Sequence, residues 1–238
     1  MSIENRTILI SGATGVLGSL LAHRLASQNA KLAFIDRDPA KLDRLVKDLS
    51  LPEARVTAEI ADLLDAAQTQ AAAEAVVKKF GRVEALFHLV GGWTGGKSLV
   101  EVPASDVQFM LNQHLWSSFN LIQAFVPHLV KNGWGRVVMI SSPFAASPAA
   151  KGGPYAIGKA AQEALMQTLA QELKGSGVTA NLLLVKTIDN GRKKVAEPGS
   201  ENAAWTTPEE IVAAMLYLLS EDAGTVNGAK LPMFGGYH

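Results

Sequence analysis

Residues 7–18 read Thr7-Ile-Leu-Ile-Ser11-Gly12-Ala-Thr-Gly15-Val-Leu-Gly18, a short apolar run followed by three glycines. The apolar run predicts a strand that is buried on both faces. The alanine- and leucine-rich sequence after it, up to about Gln28, predicts a helix. Small residues in such a turn let the backbone approach a phosphate, and the free N–H groups at a helix start attract its charge. The stretch therefore indicates a nucleotide-binding turn, with a tight turn that binds nothing as the alternative.

The rest of the chain repeats the alternation of strand and helix. Further strands are predicted over residues 31–36, 55–60, 85–89, 136–140, 178–185 and 231–234. Helices are predicted over 39–49, 65–79, 104–132, 155–174 and 207–219, with a kink at Pro127 in the third of them. This alternation implies right-handed crossovers and a parallel sheet covered by helices on both faces, in one α/β domain spanning residues 1–238. Ligands of such sheets bind beyond the carboxyl ends of the strands.

The composition excludes several classes of function. The 22 basic and 22 acidic residues cancel, so general attraction to nucleic acid or to an anionic membrane is not expected. Cysteine is absent, the histidines lack the usual metal-ligand spacing, and no apolar run approaches the ~18–20 residues of a membrane span. The N-terminal residues do not resemble a signal peptide. We therefore expect a cytoplasmic protein with no metal site and no nucleic-acid or membrane partner.

Residues 142–159 carry the groups that carbonyl chemistry needs. Tyr155 and Lys159 are four residues apart at the start of a predicted helix, so they lie on one helix face. A nearby ammonium favours the ionised form of a phenol, and the Ser142 hydroxyl can hold a carbonyl oxygen while the phenol protonates it. This arrangement predicts carbonyl reduction and requires a hydride source. The alternative is an ordinary half-buried helix face.

Asp36 ends the second predicted strand, about 24 residues after the first glycine. A carboxylate at this place can accept both ribose hydroxyls of a nucleotide and repels a 2′-phosphate, which favours NAD(H) over NADP(H). NADP(H) stays possible, because the neighbouring Arg37 can turn toward a 2′-phosphate. Asp62 and Leu63 either meet the adenine or form a plain helix N-cap.

Together, the glycine turn, Asp36, Asp62-Leu63, Ser142, Tyr155-x-x-x-Lys159 and the later Gly235-Gly236 pair resemble the short-chain dehydrogenase/reductases over essentially the whole chain. The resemblance implies a seven-stranded, doubly wound Rossmann sheet, a nicotinamide cofactor and a homodimer or homotetramer. It makes Tyr155 the general acid or base, Lys159 the group that holds the nicotinamide ribose and lowers the phenol pKa, and Ser142 the group that orients the substrate oxygen. The family's interface commonly uses the helices that here contain His114 and Tyr155.

The same resemblance implies the residues that contact the cofactor. They are Gly12, Thr14, Gly15, Val16, Leu17, Gly18, Asp36, Arg37, Asp62, Leu63, Val90, Gly91, Gly92, Tyr155, Lys159, Thr187 and Ile188.

The sequence departs from the family pattern at four places. Val16 occupies the usual position of the middle glycine, and the usual Asn-Asn-Ala-Gly is replaced by His88-Leu-Val-Gly91. His114 replaces the catalytic asparagine, whose backbone holds a water of the proton relay in the family. His114 either packs, supports the relay or titrates itself near neutral pH. Lastly, Val185-Lys186 replaces a Pro-Gly pair.

These departures also point to a narrower resemblance. The sequence around Trp93, His114-Leu-Trp116-Ser-Ser and Trp205-Thr-Thr-Pro208 is similar to that of the NADH-dependent quinonoid dihydropteridine reductases. Trp93 either stacks on a flat heterocycle or lines an apolar pocket, and Ser142 argues for a more ordinary carbonyl or alcohol substrate. Phe144 and Trp205 are further candidates for the pocket wall.

Residues 186–206 are polar and predict a mobile lid over the substrate. The basic run 192–194 within them either favours an anionic substrate or is a solvated surface run.

The sequence as a whole therefore predicts an NAD(H)-dependent oxidoreductase that moves hydride between nicotinamide and a carbonyl, alcohol or imine-like carbon. One alternative is dihydropteridine reductase-like activity. The other is a nucleotide-binding sensor or scaffold that keeps the fold without the chemistry.

Overall fold

Strand β1 (Thr7–Ser11) is buried along its whole length, and its side chains alternate between two cores. Ile8 and Ile10 belong to one core, which packs under helices on one face of the sheet. Leu9 belongs to the other core, on the opposite face. The continuous apolar run of β1 follows from this position, because a central parallel strand has no solvent-facing side. The sheet thus confirms the doubly covered arrangement that the sequence predicts.

The computed structural model describes residues 3–234, so Gly235-Gly236 lies outside the described residues. Seven strands form one sheet in the order β3-β2-β1-β4-β5-β6-β7, and every adjacent pair is parallel. Beside β1 these are β2 (Lys31–Asp36), β3 (Val56–Ile60), β4 (Ala85–His88), β5 (Gly135–Ser141), β6 (Val178–Leu184) and β7 (Lys230–Pro232). The order changes direction at β1 and β4, which is where such sheets bind ligands.

The helices cover both faces of this sheet. They are α1 (Val16–Ala26), α2 (Pro39–Leu49), α3 (Ala66–Phe80), α4 (Ala104–Leu111), α5 (Ser117–Lys131), α6 (Gly153–Glu172), the short α7 (Lys193–Ala196) and α8 (Pro208–Leu219). Helices α1 and α8 supply one core with residues such as Leu21 and Ile211. Helices α3, α5 and α6 supply the other with residues such as Val76, Phe125 and Met166. In the part of the chain that the structure describes, no helix is both long and apolar enough to cross a membrane.

The long helix predicted over residues 104–132 is interrupted. A π-helical turn, Asn112–Trp116, separates α4 from α5. The second of these helices continues through Pro127, the residue at which the sequence predicts a kink. A π-helical turn widens the helix by about one residue and is often found at functional sites. It turns the His114 side chain into the interior, where the residue is fully buried.

Candidate active site

The glycine turn at the end of β1 is closely packed against neighbouring backbone. Gly12 has a φ of +70°, and a Cβ atom there would lie 2.9 Å from the Val90 nitrogen. A Cβ atom on Gly18 would lie 2.4 Å from the carbonyl oxygen of Gly12. Gly15 is the N-cap of α1, whose first N–H groups have no side-chain cap, and Val16 is partly exposed. The variant spacing therefore keeps a bare helix N-terminus, which suits a phosphate.

Asp36 stands at the end of β2, and its carboxylate is held in place by neutral donors. The Thr14 hydroxyl donates to Asp36 Oδ2 at 2.6 Å, and the Arg37 backbone N–H donates to Oδ1 at 2.8 Å. Within residues 3–234, no ion pair engages this carboxylate. Oδ1 also accepts a long hydrogen bond from the Asp38 backbone N–H at 3.4 Å, so the free lone pair for a ribose hydroxyl is on Oδ2.

A cleft of about 250 Å³ joins these features along the carboxyl ends of β1 to β4. It brings together many of the predicted cofactor residues, namely Gly12, Gly15, Asp36, Arg37, Asp62, Leu63, Val90 and Gly91. It also includes residues that the sequence does not predict, Asn112, Gln113 and Ser117 of the long helix. Leu17 and Gly18 are buried behind the turn.

The helix N-cap alternative for Asp62 is wrong. Helix α3 is capped by Asp65, whose carboxylate accepts hydrogen bonds from the N–H groups of Ala67 and Gln68. The Asp62 carboxylate accepts a local hydrogen bond from the Leu64 N–H at 3.0 Å and lies at the cleft.

Ser142, Tyr155 and Lys159 meet beyond the end of β5, next to this cleft. Ser142 follows the strand, and Tyr155 and Lys159 lie in the first two turns of α6. Burial raises the pKa of Tyr155, and a hydrogen bond between its phenol and the Ser142 side chain lowers that pKa in part. The Lys159 ammonium nitrogen lies 6.0 Å from the centre of the tyrosine ring. The three predicted catalytic groups are therefore adjacent.

Lys159 is buried, with only 4 % of its surface exposed. Its Nζ donates to the carbonyl oxygen of Ile140 at 2.7 Å and to Gln162 Oε1 at 3.0 Å. Burial lowers the pKa of Lys159 to about 7, and the nearby Glu163 carboxylate opposes this shift. Neither of these bonds goes to the phenol, and burial has the largest influence on the pKa of Tyr155.

His114 is a neutral, packed residue. Its Nε2 lies 3.1 Å from the carbonyl oxygen of Gly92 and therefore carries the proton. Its ring meets that of Tyr155 edge to face at 5.5 Å, and Gly158 leaves room for it, because a Cβ there would lie 3.0 Å from His114 Cδ2. Burial, and then the charge of Lys159, lower the pKa of His114 to about 3. These contacts support packing over titration near neutral pH.

His88, at the end of β4, links the first strand to the long helix. Its Nδ1 lies 2.7 Å from the Ser11 hydroxyl and its Nε2 lies 3.1 Å from the Ser117 hydroxyl. The Ser117 hydroxyl donates to the Gln113 carbonyl, so it accepts from Nε2 and the proton of His88 is on that nitrogen. Burial lowers the pKa of His88 to about 3. His88 thus links β1 to the long helix beside the cleft as a neutral side chain.

A second pocket, of about 180 Å³, opens beside Tyr155. Trp93 and Phe144 form its aromatic wall, and small residues of the loop before α6 form the rest. The Gly96 N–H donates to the Lys151 carbonyl at 2.8 Å, which joins the glycine-rich loop to this second loop. Trp93 is 64 % exposed. Trp205 does not line this pocket in the described structure; its carbonyl accepts a hydrogen bond from Lys194.

The two ends of the predicted lid, residues 186–206, are hydrogen-bonded to each other. The Asp189 N–H donates to the Thr206 carbonyl, and the Thr206 N–H donates to the Thr187 carbonyl, so Ile188 and Thr206 form a bridge. The segment is not wholly irregular, because α7 forms within it and the buried Asp189 carboxylate accepts from the first N–H groups of that helix.

The basic run of this segment is engaged outside the pocket. Arg192 pairs with Glu209, and Lys194 bonds to the Trp205 carbonyl. These contacts favour a surface role for the run. No group of three or more potential metal ligands occurs among the residues described.

Several buried polar residues around the site are missing from the sequence-based prediction. They are His88 as a structural link, and Gln162, Ser118, Ser117 and Glu163 as hydrogen-bonding partners. The available signal was their helical spacing, since Gln162 and Glu163 follow Lys159 by three and four residues.

Comparison with known proteins places this chain in a family. Residues 6–198 match the family model of the short chain dehydrogenases, and the chain therefore belongs to this family of oxidoreductases. A 3-oxoacyl-[acyl-carrier-protein] reductase of Thermotoga maritima is 28 % identical, with 99 % of each chain covered. A bovine dehydrogenase/reductase SDR family member 4 is also 28 % identical, over 98 % of this chain and 88 % of its own.

Solved structures agree with this assignment. A short-chain type dehydrogenase/reductase from Mycobacterium ulcerans has a TM-score of 0.89 and 26 % identity, over 99 % of this chain and 90 % of its own.

Proposed function

We propose that this protein is an NAD(H)-dependent oxidoreductase that interconverts a small carbonyl compound, or an imine-like one, and its reduced form. The observation that carries the proposal is that the Ser142, Tyr155 and Lys159 side chains are adjacent, with Tyr155 lining the pocket that has aromatic walls. The cleft with the glycine turn and Asp36 lies at the same edge of the sheet. A dinucleotide in that cleft fits the bare helix N-terminus and the free lone pair of Asp36 Oδ2.

Each residue has a defined role in the proposed reaction. A bound nicotinamide supplies or accepts the hydride. In the reducing direction, the Tyr155 phenol donates its proton to the substrate oxygen, and the Ser142 hydroxyl holds that oxygen. Lys159 holds the nicotinamide ribose and stabilises the phenolate that remains. Tyr155 accepts the proton in the oxidising direction.

The preference for NAD(H) rests on Asp36. Its carboxylate is oriented by Thr14 and the Arg37 backbone and has no cationic partner among the described side chains. A ribose hydroxyl can donate to its Oδ2, whereas a 2′-phosphate would be repelled. The Arg37 side chain is exposed at the same cleft, so NADPH is the competing cofactor to measure.

The test is Tyr155→Phe, assayed by NADH consumption across a panel of ketones, aldehydes and diketones. We expect turnover to fall by about 10²-fold or more, because general acid catalysis contributes about this factor. NADH affinity should stay within about twofold, since the ring and its packing remain. Tyr217→Phe, which changes an exposed tyrosine on α8 in the same way, is the matched control. Wild-type turnover in Tyr155→Phe would refute the proposal, and NADH binding without any turnover would favour a sensor.

A dihydropteridine reductase-like activity is the second candidate. It is favoured by the exposed indole of Trp93, which lines the pocket beside Tyr155 and can stack on a flat heterocycle. Rapid NADH oxidation with a quinonoid dihydropterin would support it. No turnover with that compound, in enzyme that reduces ketones, would remove it.

We also propose a homodimer or homotetramer. The exposed apolar side chains Phe109, Trp116 and Ile157 lie on α4, on the π-helical turn and on α6, and their burial between subunits would stabilise an oligomer. Light scattering measures the mass directly, and a monomer would contradict this proposal.

A further inference from the structure

Two buried polar side chains lie beneath the Lys159 ammonium, and none of the roles above uses them. Gln162, on the next turn of α6, accepts a hydrogen bond from Lys159 Nζ at 3.0 Å and is 1 % exposed. Its Nε2 donates to the hydroxyl of Ser118 on α5 at 3.0 Å, and Ser118 is fully buried. The Ser118 hydroxyl donates to the His114 carbonyl at 2.6 Å. The chain of bonds therefore joins Lys159 to the π-helical turn.

The orientation of the Gln162 amide is fixed by its surroundings. The single hydroxyl proton of Ser118 goes to the His114 carbonyl, so the Ser118 oxygen can only accept from Gln162. A second Gln162 Nε2 contact, at 3.7 Å, is the sulfur of Met139, which is also an acceptor. The amide nitrogen must therefore face Ser118 and Met139, and its oxygen must face Lys159. If the amide were flipped, its NH2 group would face the Lys159 ammonium, so that two donors would face each other.

Gln162 supplies the only side-chain acceptor bonded to Lys159 Nζ in the described structure. The other ionisable groups near Lys159 are Glu163, Tyr155, His114 and His88. The Glu163 carboxylate is already taken by Ser141 at 2.6 Å and by Lys230 at 2.7 Å. The two histidines are buried and neutral near pH 7. An ammonium has three donors, so with two directed to Ile140 and Gln162, one is left.

We propose that Gln162, braced by Ser118, is a positioning residue that keeps the Lys159 ammonium charged and aims its remaining N–H toward the cofactor cleft and Tyr155. This role rests on the proposed function. The amide does so without a charge of its own, so it stabilises the ammonium and leaves the positive field at the phenol intact. A carboxylate at this place would stabilise the ammonium but cancel part of that field.

The first test compares Gln162→Leu with Gln167→Leu. Gln167 lies on the same helix and donates to the Gly228 carbonyl at 2.9 Å, away from the site, so it controls for loss of a hydrogen-bonded, partly buried amide. We expect kcat for ketone reduction to fall about 10-fold or more in Gln162→Leu, because small misplacements of a catalytic group are costly. The pH above which reduction declines should also move down by about one unit, because the ammonium loses an acceptor. Gln167→Leu should lower the thermal midpoint only.

The second test uses Gln162→Glu and Ser118→Ala. Gln162→Glu should move the same decline to higher pH, because a carboxylate stabilises the ammonium. Ser118→Ala should shift it in the direction of Gln162→Leu but less far, and the double variant Ser118→Ala/Gln162→Leu should match Gln162→Leu alone, because both act through one chain of bonds.

The outcomes separate this inference from the proposed function. If Tyr155→Phe is inactive while Gln162→Leu and Gln162→Glu keep the wild-type pH profile, or match Gln167→Leu, the positioning role is refuted and the proposed function stands. If Tyr155→Phe keeps wild-type turnover, both are refuted. Opposite pH shifts in Gln162→Leu and Gln162→Glu, with folded proteins in both cases, establish the positioning role.

Discussion

The cofactor cleft and the floor beneath Lys159 are built in opposite ways. The cleft is made largely of backbone and of absent side chains, as at Gly12 and Gly18, where a Cβ atom would strike neighbouring main chain. The floor is made of buried polar side chains that are paired one to one, as in the Lys159, Gln162 and Ser118 chain. Adding atoms therefore disrupts the cofactor cleft, whereas removing a hydrogen-bonding partner disrupts the floor.

The largest expected effect comes from adding one methyl group to the cleft. Gly18→Ala places a Cβ atom 2.4 Å from the Gly12 carbonyl oxygen and 2.7 Å from Ala13 Cα. Because both neighbours are backbone, we expect a loss of about 3 kcal/mol in unfolding free energy, together with weaker NADH binding. Denaturant unfolding and NADH fluorescence titration measure the two effects. Gly199→Ala, where no atom lies within 4 Å of the new Cβ, is the control. Equal stability of the two variants would contradict the claim that the cleft cannot accept added atoms.

The second effect tests a hydrogen-bonded side chain by pH. Burial lowers the folded-state pKa of His88 to about 3, below its ordinary value of 6.5. The unfolded chain therefore binds the proton more readily, and stability is lost as the pH falls below about 6.5. Between pH 7 and pH 5 this loss is about 2 kcal/mol.

In His88→Asn, the loss of unfolding free energy between pH 7 and pH 5 should be smaller than in the wild type by about 2 kcal/mol. The variant should be less stable than the wild type at pH 7. His23→Asn changes an exposed histidine and controls for the loss of a titratable group. An unchanged difference in His88→Asn would show that His88 binds its proton equally well in the folded and unfolded protein, which would contradict the lowered pKa.

The smallest effect concerns the negative charge of Asp36 in the cleft. Asp36→Asn keeps the size of the residue and the place of the Thr14 contact but removes the negative charge. We expect the ratio of NADPH to NADH affinity to rise about 10-fold, because a charged acceptor is lost and a repulsion is relieved. Calorimetric titration with both nucleotides measures the ratio, with the exposed Asp48→Asn as control. No change in the ratio would remove Asp36 from the nucleotide site.

The cleft could be predicted from the sequence because its parts are local. Gly12, Gly15 and Gly18 sit between one strand and one helix, and Asp36 ends the next strand, so position along the chain fixes their place in space. Tyr155 and Lys159 were predictable for the same reason, since helical spacing places them on one face.

Most of the floor could not be predicted, because its pairs come from distant segments apart from Lys159 and Gln162, which are three residues apart. Ser118 meets Gln162 across 44 residues, and His88 meets Ser11 across 77. Such contacts depend on how α5 and α6 pack and on the π-helical turn, for which no local residue pattern gave a signal. The sequence predicts the irregularity of the long helix at Pro127 instead, because proline is the usual cause of a kink.

The π-helical turn at Asn112–Trp116 also determines how this chain tolerates a change in its length. Such a turn accommodates about one more residue than an α-helical turn does. Deleting one residue inside this turn would let α4 and α5 join as a regular helix, with both helices keeping the faces they now present. Deleting one residue elsewhere in α5 would instead turn the residues on one side of the deletion by about 100°, which would move buried residues such as Phe125. The π-helical turn therefore lets the long helix absorb a change of one residue in length without moving the polar side chains of the floor.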